Sequence, residues 1–383
     1  MHICFLGEIA TATITTGGIG SFVANIIPEL LQQGCTISVI SYKKQAKPVE
    51  IENVAGYSIH WINTHQWGRL RFYKKMVDTN RVLKSIHRKQ PIQIIDSPEA
   101  GFFMLHKISC VKYVARLHGG HIFFAHSTTD TPFSRKKAWI ERRSLQKADA
   151  IIGVSKYVLA TTAATYPFIL MVPHEIIYNP IILDRFYATD PAKVVSGNLL
   201  FLGSLTEKKG IRQLIEALPI VLAKFPHVQL HVYGRDVAIR PSGKSFKALL
   251  EALIEQKHLV SSITLHPPLP NYEIPSVIES AEIVVLPSHM ESQGLAFIEA
   301  MAMEKPLIAG SPGPVPEIIT HHSNGLLCNP FDPTDIAEKI CYMLSHKEKA
   351  IAMGEQARRD IKLGFGSQLL ASRNIQFYYN LLK

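Results

Sequence analysis

The sequence predicts an α/β protein with two tandem domains, each built on a parallel β-sheet. A chain of 383 residues is longer than a domain with a single hydrophobic core usually is, and it suits two domains of roughly 190 residues. Short β-rich runs alternate with helical patterns in the first half, and the alternation restarts after a break near residues 179–198. A hydrophobic content of 47% with 19% charged residues excludes disorder.

The first half contains strand-like segments separated by amphipathic helical patterns. Strands are predicted at Ile3–Leu6, Thr36–Ile40, Ile92–Asp96, Tyr113–Leu117 and Ala150–Val154. Helical spacing of apolar residues covers Phe22–Gln33, Val77–Arg88 and Trp139–Lys147. Because strands that alternate with helices are joined by crossovers, we expect their pairing to be parallel.

The second half repeats this organisation after a linker predicted at residues 181–197, which separates domain 1–180 from domain 198–365. The predicted strands are Asn198–Leu202, Val228–Tyr233, Ser262–Leu265 and Ile283–Leu286, and the predicted helices are Gly210–Phe225 and Leu295–Met303. The tail at 366–383 is predicted to be an amphipathic helix across the domain junction, with an apolar face formed by Leu369, Leu370, Ile375, Tyr378, Tyr379 and Leu382.

The excess of positive over negative charge lies entirely in the first half of the chain. Residues 1–180 hold 21 Lys or Arg against 11 Asp or Glu, and residues 181–383 hold 20 against 20. This polarity indicates that the first domain faces an anionic partner, such as a membrane surface, a phosphorylated acceptor or nucleic acid. Five scattered cysteines without a Cys-x-x-Cys pair argue against a disulfide framework and a structural zinc site.

The start of the chain bears on where the protein acts. A strand-like run follows Met1 directly, with no basic and apolar leader before it, and no uninterrupted apolar stretch reaches 18 residues. We therefore expect a cytoplasmic protein, with peripheral contact at the inner face of the plasma membrane as a further expectation.

The most informative segment runs from Pro287 to Ala302. A buried-type strand ends at Pro287, a polar loop containing Glu291 and Gly294 follows, and an apolar helix begins near Leu295. Ligands of open α/β sheets bind at the carboxyl ends of the strands, where helix N-termini offer free N–H groups to anions. A pyrophosphate is expected at this helix start.

Glu299 lies within that apolar helix, eight residues after Glu291. An ionised carboxylate is costly there unless it is hydrogen-bonded, and vicinal ribose hydroxyls are suitable donors. Glu291 would then lie near the sugar end of the same ligand. The alternative interpretation makes Glu299 a surface residue of an amphipathic helix and Glu291 a loop charge.

Three further segments follow strand ends and could meet a ligand. Lys209 precedes Gly210 at the start of a helix and would supply a point charge to a diphosphate. Gly17 and Gly18 open the first helix, where glycines allow a close backbone approach. His118 ends a strand at its carboxyl edge and could orient a sugar hydroxyl. The alternative interpretations are that Lys209 belongs to a solvated lysine pair, that Gly17 and Gly18 form only a tight turn, and that His118 has no role in binding.

These motifs resemble the retaining glycosyltransferases of family four, whose hallmark is Glu-x7-Glu followed by a small-residue helix. Glu291 and Glu299 match that spacing, and Lys209 matches the lysine of Gly-Arg-Leu-x-x-x-Lys-Gly. The resemblance implies the GT-B fold, two Rossmann-like domains with a donor cleft between them. It also implies that Glu299 binds ribose, that Glu291 binds sugar hydroxyls near the anomeric centre, and that the Gly294 and Leu295 amides bind sugar or phosphate.

The resemblance implies roles for further residues. The sequence also departs from the family pattern at one phosphate-binding position. His118 corresponds to a histidine that contacts the donor sugar, so His118 and Glu291 are the expected catalytic residues. Ser204 replaces the family's arginine, and Lys208, another residue or backbone amides would have to cover its loss. Leu269 is a candidate near the nucleotide. Asp96 and Glu99 are candidates on the acceptor side.

Residues 65–90 hold eight cations interleaved with aromatic and aliphatic residues, against the single anion Asp78. This pattern is typical of an interfacial helix on anionic lipid, with a solvated helix face as the alternative. The membrane-surface residues are expected to be Arg69, Arg71, Lys74, Lys75, Arg81 and Lys84. No recognisable nucleic-acid-binding module accompanies the run, so nucleic acid is not an expected partner.

The sequence therefore predicts an enzyme that moves a sugar from a nucleoside-diphosphate sugar, with a UDP-sugar favoured, to a glycan or lipid-linked acceptor in polysaccharide or glycolipid synthesis. No metal ligand set and no cofactor are expected, and no Asp-x-Asp motif occurs. Two alternatives stay open: a non-catalytic anion-binding protein of the same fold, and a GT-B epimerase or phosphorylase.

Overall fold

The computed structural model describes residues 1–11, 17–43, 49–64, 71–128, 131–239 and 242–383. The chain forms two compact units, one comprising Met1–His126, Thr131–Pro180 and Ser367–Lys383, and the other built mainly from Ile181–Gly366. Each unit contains its own sheet, with helices between most of its successive strands. The predicted fold class, two parallel-sheet α/β domains, is confirmed.

The sheet of the first unit has eight strands among the described residues, in the spatial order β3-β4-β2-β1-β5-β6-β7-β8. The strands are β1 (His2–Leu6), β2 (Thr36–Lys43), β3 (Val49–Val54), β4 (Tyr57–Asn63), β5 (Ile94–Pro98), β6 (Lys112–Leu117), β7 (Ala150–Gly153) and β8 (His174–Ile176). The helices are α1 (Gly18–Gln32), α2 (Arg71–Lys89), α3 (His121–Ser127), α4 (Arg135–Leu145), α5 (Lys156–Thr165) and, from the chain's tail, α12 (Ser367–Leu382).

The hairpin of β3 and β4 is absent from the sequence prediction. It is the antiparallel pair of an otherwise parallel sheet, and Gly56 turns the chain with a φ of +85°. β3 lies at the sheet edge and carries Glu50, Glu52 and Asn53. An edge strand with so few buried positions gives no clear alternation of apolar and polar residues, which explains the omission.

The second unit has six strands among the described residues, in the order β11-β10-β9-β12-β13-β14, and every neighbouring pair is parallel. The strands are β9 (Asn198–Leu202), β10 (Gln229–Tyr233), β11 (Ile263–His266), β12 (Ile283–Leu286), β13 (Leu307–Gly310) and β14 (Leu326–Cys328). The helices are α6 (Ile211–Leu222), α7 (Phe246–Gln256), α8 (Ile274–Ser280), α9 (Leu295–Ala302), α10 (Pro333–Ser345) and α11 (Lys347–Gly364).

The last helix, α12, contributes to the core of the first unit. Its Leu370, Ala371, Phe377 and Tyr378 join the cluster that contains the apolar residues of β1 and α1. Its bounds agree with the predicted tail helix, but the predicted apolar face is wrong in part. Leu369 and Tyr379 are 43% and 49% exposed, because burial follows the Leu370, Asn374 and Tyr378 positions on one helical face.

A buried polar network ties α12 to the sheet of the same unit. The Arg116 guanidinium, fully buried on β6, donates to Asp96 Oδ2 at 2.7 Å and to Asn374 Oδ1 at 2.6 Å. The Tyr378 hydroxyl donates to the same Asp96 oxygen at 2.7 Å. A buried ion pair requires such additional hydrogen bonds, because desolvation otherwise outweighs the attraction of the charges.

Removing the Tyr378 hydroxyl should therefore weaken the first unit. In Tyr378→Phe the Asp96 carboxylate loses a donor inside a dry core, and we expect a loss of about 1–3 kcal/mol in the unfolding free energy. Urea denaturation followed by circular dichroism measures this. Tyr379→Phe, the exposed neighbour, is the matched control and should unfold like the wild type. Equal stability of the two variants would contradict the structural role given to the network.

Candidate functional site

The carboxyl edge of the second sheet carries the loops that hold the predicted donor-site residues of the second unit. β9 and β12 are parallel neighbours, so the loops that follow them leave the sheet at the same edge. Lys209 lies in the loop after β9, and Glu291 lies in the loop after β12. Although the two residues are 82 positions apart in the chain, their side chains are in direct contact.

A glycine allows these two loops to approach each other closely. Gly210 has a φ of +70°, and a Cβ atom at this position would lie 1.9 Å from the carbonyl oxygen of Pro287. Beside this contact the His289 amide donates to the carbonyl oxygen of Lys208 at 2.8 Å. A side chain at position 210 would force the loops apart, so the steric requirement for glycine is local and strict.

Lys209, Glu291 and Ser288 form a small charged cluster. The Lys209 ammonium donates to Glu291 Oε1, and the Ser288 hydroxyl donates to the same oxygen at 2.8 Å. Burial alone would raise the pKa of Glu291, but the charges of Lys209 and Lys208 and the two hydrogen bonds outweigh burial and lower it. The Glu291 carboxylate is therefore ionised at neutral pH.

Helix α9 begins at the same edge without a side-chain cap. Gly294 occupies the N-cap position with a φ of +88° and has no side chain that could bond the first amides. A Cβ atom there would lie 2.4 Å from the Phe297 ring. The first N–H groups of α9, beginning with that of Leu295, are thus a local source of positive charge and of donors.

Glu299 lies one turn inside α9 and is half-buried. Burial raises its pKa to about 7, and the Arg185 charge opposes part of this rise. The Arg185 guanidinium itself donates to the carbonyl oxygen of Asn271. Among the described residues no hydrogen bond or ion pair engages the Glu299 carboxylate, so its capacity to accept hydrogen bonds is unused there. Arg185 lies in the predicted linker, where nothing in the sequence pattern indicated a site residue.

The other predicted positions near this edge lie as follows. Ser204 is half-buried in the turn after β9, and Leu269 is half-buried three residues after β11. Arg212, near the start of α6, does not supply the cation that Ser204 lacks, because its guanidinium is already bonded to Glu207 at 2.6 Å and to Glu216 at 2.8 Å.

Two family profiles cover most of the chain. The profile described as "Glycosyltransferase Family 4" matches residues 16–185, and the one described as "Glycosyl transferases group 1" matches residues 195–360. The chain belongs to the glycosyltransferases of family four. The boundary between the two matches falls near the boundary between the two compact units, so each unit carries one half of the family pattern.

Sequence relatives of this glycosyltransferase include enzymes with different printed activities. The α-D-kanosaminyltransferase of Streptomyces kanamyceticus is 25% identical over 67% of this chain and 67% of its own length. An uncharacterized glycosyltransferase of Methanocaldococcus jannaschii is 24% identical over 89% of both chains. The D-inositol 3-phosphate glycosyltransferase of Corynebacterium urealyticum is 30% identical, but over only 43% of this chain and 38% of its own.

Solved structures share the fold over the full chain. Sucrose-phosphate synthase from Thermosynechococcus elongatus superposes with a TM-score of 0.84 at 20% identity, covering 99% of this chain and 98% of that one. HepE of Anabaena, in complex with UDP and glucose, superposes with a TM-score of 0.78 at 17% identity, covering 99% and 100%. At these identities the likeness establishes the GT-B fold.

In the first unit of the glycosyltransferase, Gly17 and Gly18 lie at the start of α1. Gly17 is the N-cap residue and carries no side-chain cap, and the Ser21 amide donates to its carbonyl oxygen at 3.2 Å. Residues 12–16, which complete the predicted glycine loop, lie outside the described residues. The donor-binding role of this loop stays a prediction.

His118 follows β6 directly and is buried. Its ring lies 5.3 Å from the Phe22 ring, centroid to centroid. Burial and the nearby Arg116 charge hold the pKa of His118 well below its ordinary value. The imidazole is therefore neutral at physiological pH, and could accept or donate a hydrogen bond rather than act as a cation.

The two predicted acceptor-side carboxylates, Asp96 and Glu99, lie in different surroundings. Asp96 is bonded to Arg116 and to Tyr378 in the core network. Glu99 is buried, and burial together with Glu141 raises its pKa to about 8. Among the described residues its Oε1 has no hydrogen-bond partner. Glu99 is thus protonated at neutral pH, and the acceptor-side roles of Asp96 and Glu99 stay predictions.

The cations predicted to form one membrane-binding face differ in their exposure to solvent. Lys74 and Lys75 are half-buried on α2, and the Lys75 ammonium lies 3.5 Å from the Tyr42 ring centroid. Arg81 and Lys84 are exposed and line a groove of about 1020 Å³ with Arg88, Met104 and Lys147. Arg69 and the Arg71 side chain lie outside the described residues. No helix of the described chain has both the length and the apolar character to cross a bilayer.

Replacing Glu99 should change how stability depends on pH. Its pKa is about 8 in the folded unit against an ordinary value of 4.5, so between these pH values the folded state holds a proton that the unfolded chain releases. Stability therefore falls as pH rises through that window. Glu99→Gln cannot ionise, and we expect it to exceed the wild type by about 2 kcal/mol or more at pH 8.5 and to converge with it near pH 4.5.

Chemical denaturation across this pH range checks the prediction. Glu8→Gln, which alters an exposed glutamate of the same unit, is the control and should follow the wild-type curve. A Glu99→Gln protein less stable than the wild type at pH 8.5 would contradict the protonated state assigned to Glu99.

Proposed function

We propose that the protein is a retaining glycosyltransferase that moves a sugar from a nucleoside-diphosphate sugar, with a UDP-sugar favoured, to a glycan or lipid-linked acceptor. The observation that carries the proposal is the convergence of Lys209, Glu291, Glu299 and the start of α9 at one sheet edge. Solved structures of the same fold support the choice of donor, because HepE was solved with UDP-glucose and TarM of S. aureus with UDP.

The diphosphate is proposed to bind between Lys209 and the start of α9. Lys209 brings a full positive charge on a side chain that is 23% exposed, and α9 adds uncapped N–H groups. The α9 N–H groups are fixed before the ligand arrives, so they can stabilise charge that develops on the leaving diphosphate at little reorganisation cost. Because these groups supply the positive charge, the proposal does not require a metal ion.

Glu299 is proposed to bind the ribose. Its carboxylate lacks a hydrogen-bond partner among the described residues, and burial, opposed only in part by the Arg185 charge, raises its pKa to about 7. Two vicinal hydroxyls would donate to the two carboxylate oxygens and favour the ionised form. Ribose binding and ionisation of Glu299 would thus reinforce each other.

Sugar transfer is proposed to occur on the face of the donor from which the diphosphate leaves. The acceptor oxygen forms the new bond to the anomeric carbon, while the bond from this carbon to the β-phosphate oxygen breaks with its electron pair staying on the phosphate. The acceptor proton passes to the leaving phosphate. Glu291 is proposed to hold sugar hydroxyls, and His118 is kept as a proposed contact of the donor sugar.

Peripheral contact with an anionic membrane is proposed for α2. Arg81, Lys84 and Arg88 lie on its exposed face beside the groove. Near an anionic surface each such cation is worth about 1 kcal/mol. The contact would place the protein at the inner face of the membrane, where a lipid-linked acceptor is available.

Ser204 favours a second candidate, an anion-binding homologue that does not catalyse transfer. The position lacks the cation that family enzymes use there, and the remaining Lys209 is bonded to Glu291. Such a protein would bind nucleotide without consuming a sugar donor. A GT-B epimerase or phosphorylase would instead form an isomer or a sugar phosphate.

The proposed activity can be tested with UDP-, GDP- and ADP-sugars. The wild type should release nucleoside diphosphate and form a glycoside with the anomeric configuration of the donor, read by NMR. Lys209→Ala should lower kcat/KM for the active donor by about a hundredfold or more, because a fixed charge at the leaving group is lost. Lys347→Ala, which removes a lysine paired with Glu282 in the same unit, is the control.

A Lys209→Ala enzyme within a factor of a few of the wild type would contradict the role given to Lys209. Donor binding without any product would favour the anion-binding homologue. Formation of an isomer or sugar phosphate would favour the epimerase or phosphorylase.

The membrane contact is testable with the triple variant Arg81→Ser, Lys84→Ser and Arg88→Ser. Sedimentation with phosphatidylserine-containing vesicles should show binding reduced by roughly a hundredfold. The matched control replaces three exposed lysines of the second unit, Lys257, Lys349 and Lys362, and should bind like the wild type. Equal binding by both triple variants would contradict the assignment to α2.

A further inference from the structure

The two residues proposed to hold opposite ends of the diphosphate sugar are bonded to each other. Lys209 donates to Glu291 Oε1, and the side chains are only 23% and 13% exposed. The Ser288 hydroxyl donates to the same oxygen and is itself buried. A ligand phosphate at Lys209 must therefore share this ammonium with an ionised carboxylate that is held in place.

The carboxylate also acts on the phosphate directly. Two negative groups that share one lysine repel each other, and the repulsion is stronger in a partly buried site than in water. The terminal phosphate of a free nucleoside diphosphate carries more negative charge than the same phosphate in an intact nucleotide sugar, where one of its oxygens is esterified to the sugar. The penalty imposed by Glu291 is therefore larger for the free diphosphate.

An intact donor offsets this penalty in a way that the free diphosphate cannot. Sugar hydroxyls next to Glu291 donate to the oxygen that Lys209 gives up, so the carboxylate stays hydrogen-bonded when the lysine turns to the phosphate. Ser288 keeps the carboxylate in position during this exchange, because its hydroxyl contacts the same Oε1 at 2.8 Å.

We propose that Glu291, positioned by Ser288, makes the site discriminate between substrate and product, binding the intact nucleotide sugar in preference to the free nucleoside diphosphate. This inference rests on the proposed function. After transfer the sugar hydroxyls no longer contact Glu291, and the terminal phosphate gains negative charge. The Glu291 carboxylate then forms its ion pair with Lys209 again. Because this Lys209–Glu291 ion pair has to break when the phosphate binds Lys209, its return favours release of the nucleoside diphosphate.

The test compares affinities for a nucleotide sugar and its diphosphate by calorimetry. UDP with UDP-glucose, GDP with GDP-mannose and ADP with ADP-glucose are titrated into the wild type, and the pair that binds is carried forward. Glu291→Gln removes the charge but keeps the shape. We expect it to tighten binding of the free diphosphate by roughly tenfold and to abolish the preference for the sugar nucleotide.

Ser288→Ala should weaken binding of the sugar nucleotide severalfold with little change for the free diphosphate, and Ser288→Thr, which keeps a hydroxyl, should restore it. A purely structural role for Ser288 would weaken both ligands together. The matched control is Glu282→Gln, a glutamate of the same unit bonded to Lys347 at 2.6 Å, which should leave both affinities unchanged.

The outcomes separate this inference from the proposed function. Weaker binding of the free diphosphate to Glu291→Gln would overturn the inference alone, because the carboxylate would then be positioning Lys209 for phosphate. Failure of all three pairs to bind the wild type would overturn the proposed function together with the inference.

Discussion

The parallel pairing of every strand in the second sheet is the constraint on which the candidate site depends. Parallel strands end at one edge, so residues far apart in sequence leave the sheet side by side. Lys209 and Glu291 meet across 82 positions for this reason. The close contact of Gly210 with Pro287 brings the two loops near enough for Lys209 and Glu291 to form an ion pair.

Buried charge is handled in two different ways in this protein. Arg116 and Asp96 neutralise each other and have further hydrogen bonds from α12, so this pair is part of the framework. Glu299 and Glu99 have pKa values raised by burial to about 7 and about 8, because neither has a matching cation in close contact. Incomplete compensation of this kind is common at ligand sites, and it supports the proposed binding of ribose by Glu299.

The sequence predicted most strands of both sheets, because buried parallel strands are short apolar runs between turn residues. It predicted the positions of Glu291, Glu299 and Lys209 from motif spacing that strand ends and helix starts impose. The contacts of Asp96 and Glu99 could not be predicted, since they depend on Arg116 and Glu141 from other elements. Arg185 was missed for the same reason, because its relation to Glu299 exists only after the chain has folded.

The contribution of α12 to the first unit has a consequence for the order in which the protein matures. The second unit is built mainly from one continuous stretch and can fold as soon as that stretch is synthesised. The first unit, although most of it is synthesised earlier, lacks Leu370, Phe377 and Tyr378 until the tail leaves the ribosome. The first unit therefore completes its core only after the stretch that forms the second unit has been synthesised, and until then the apolar residues of β1 and α1 lack the packing that α12 supplies.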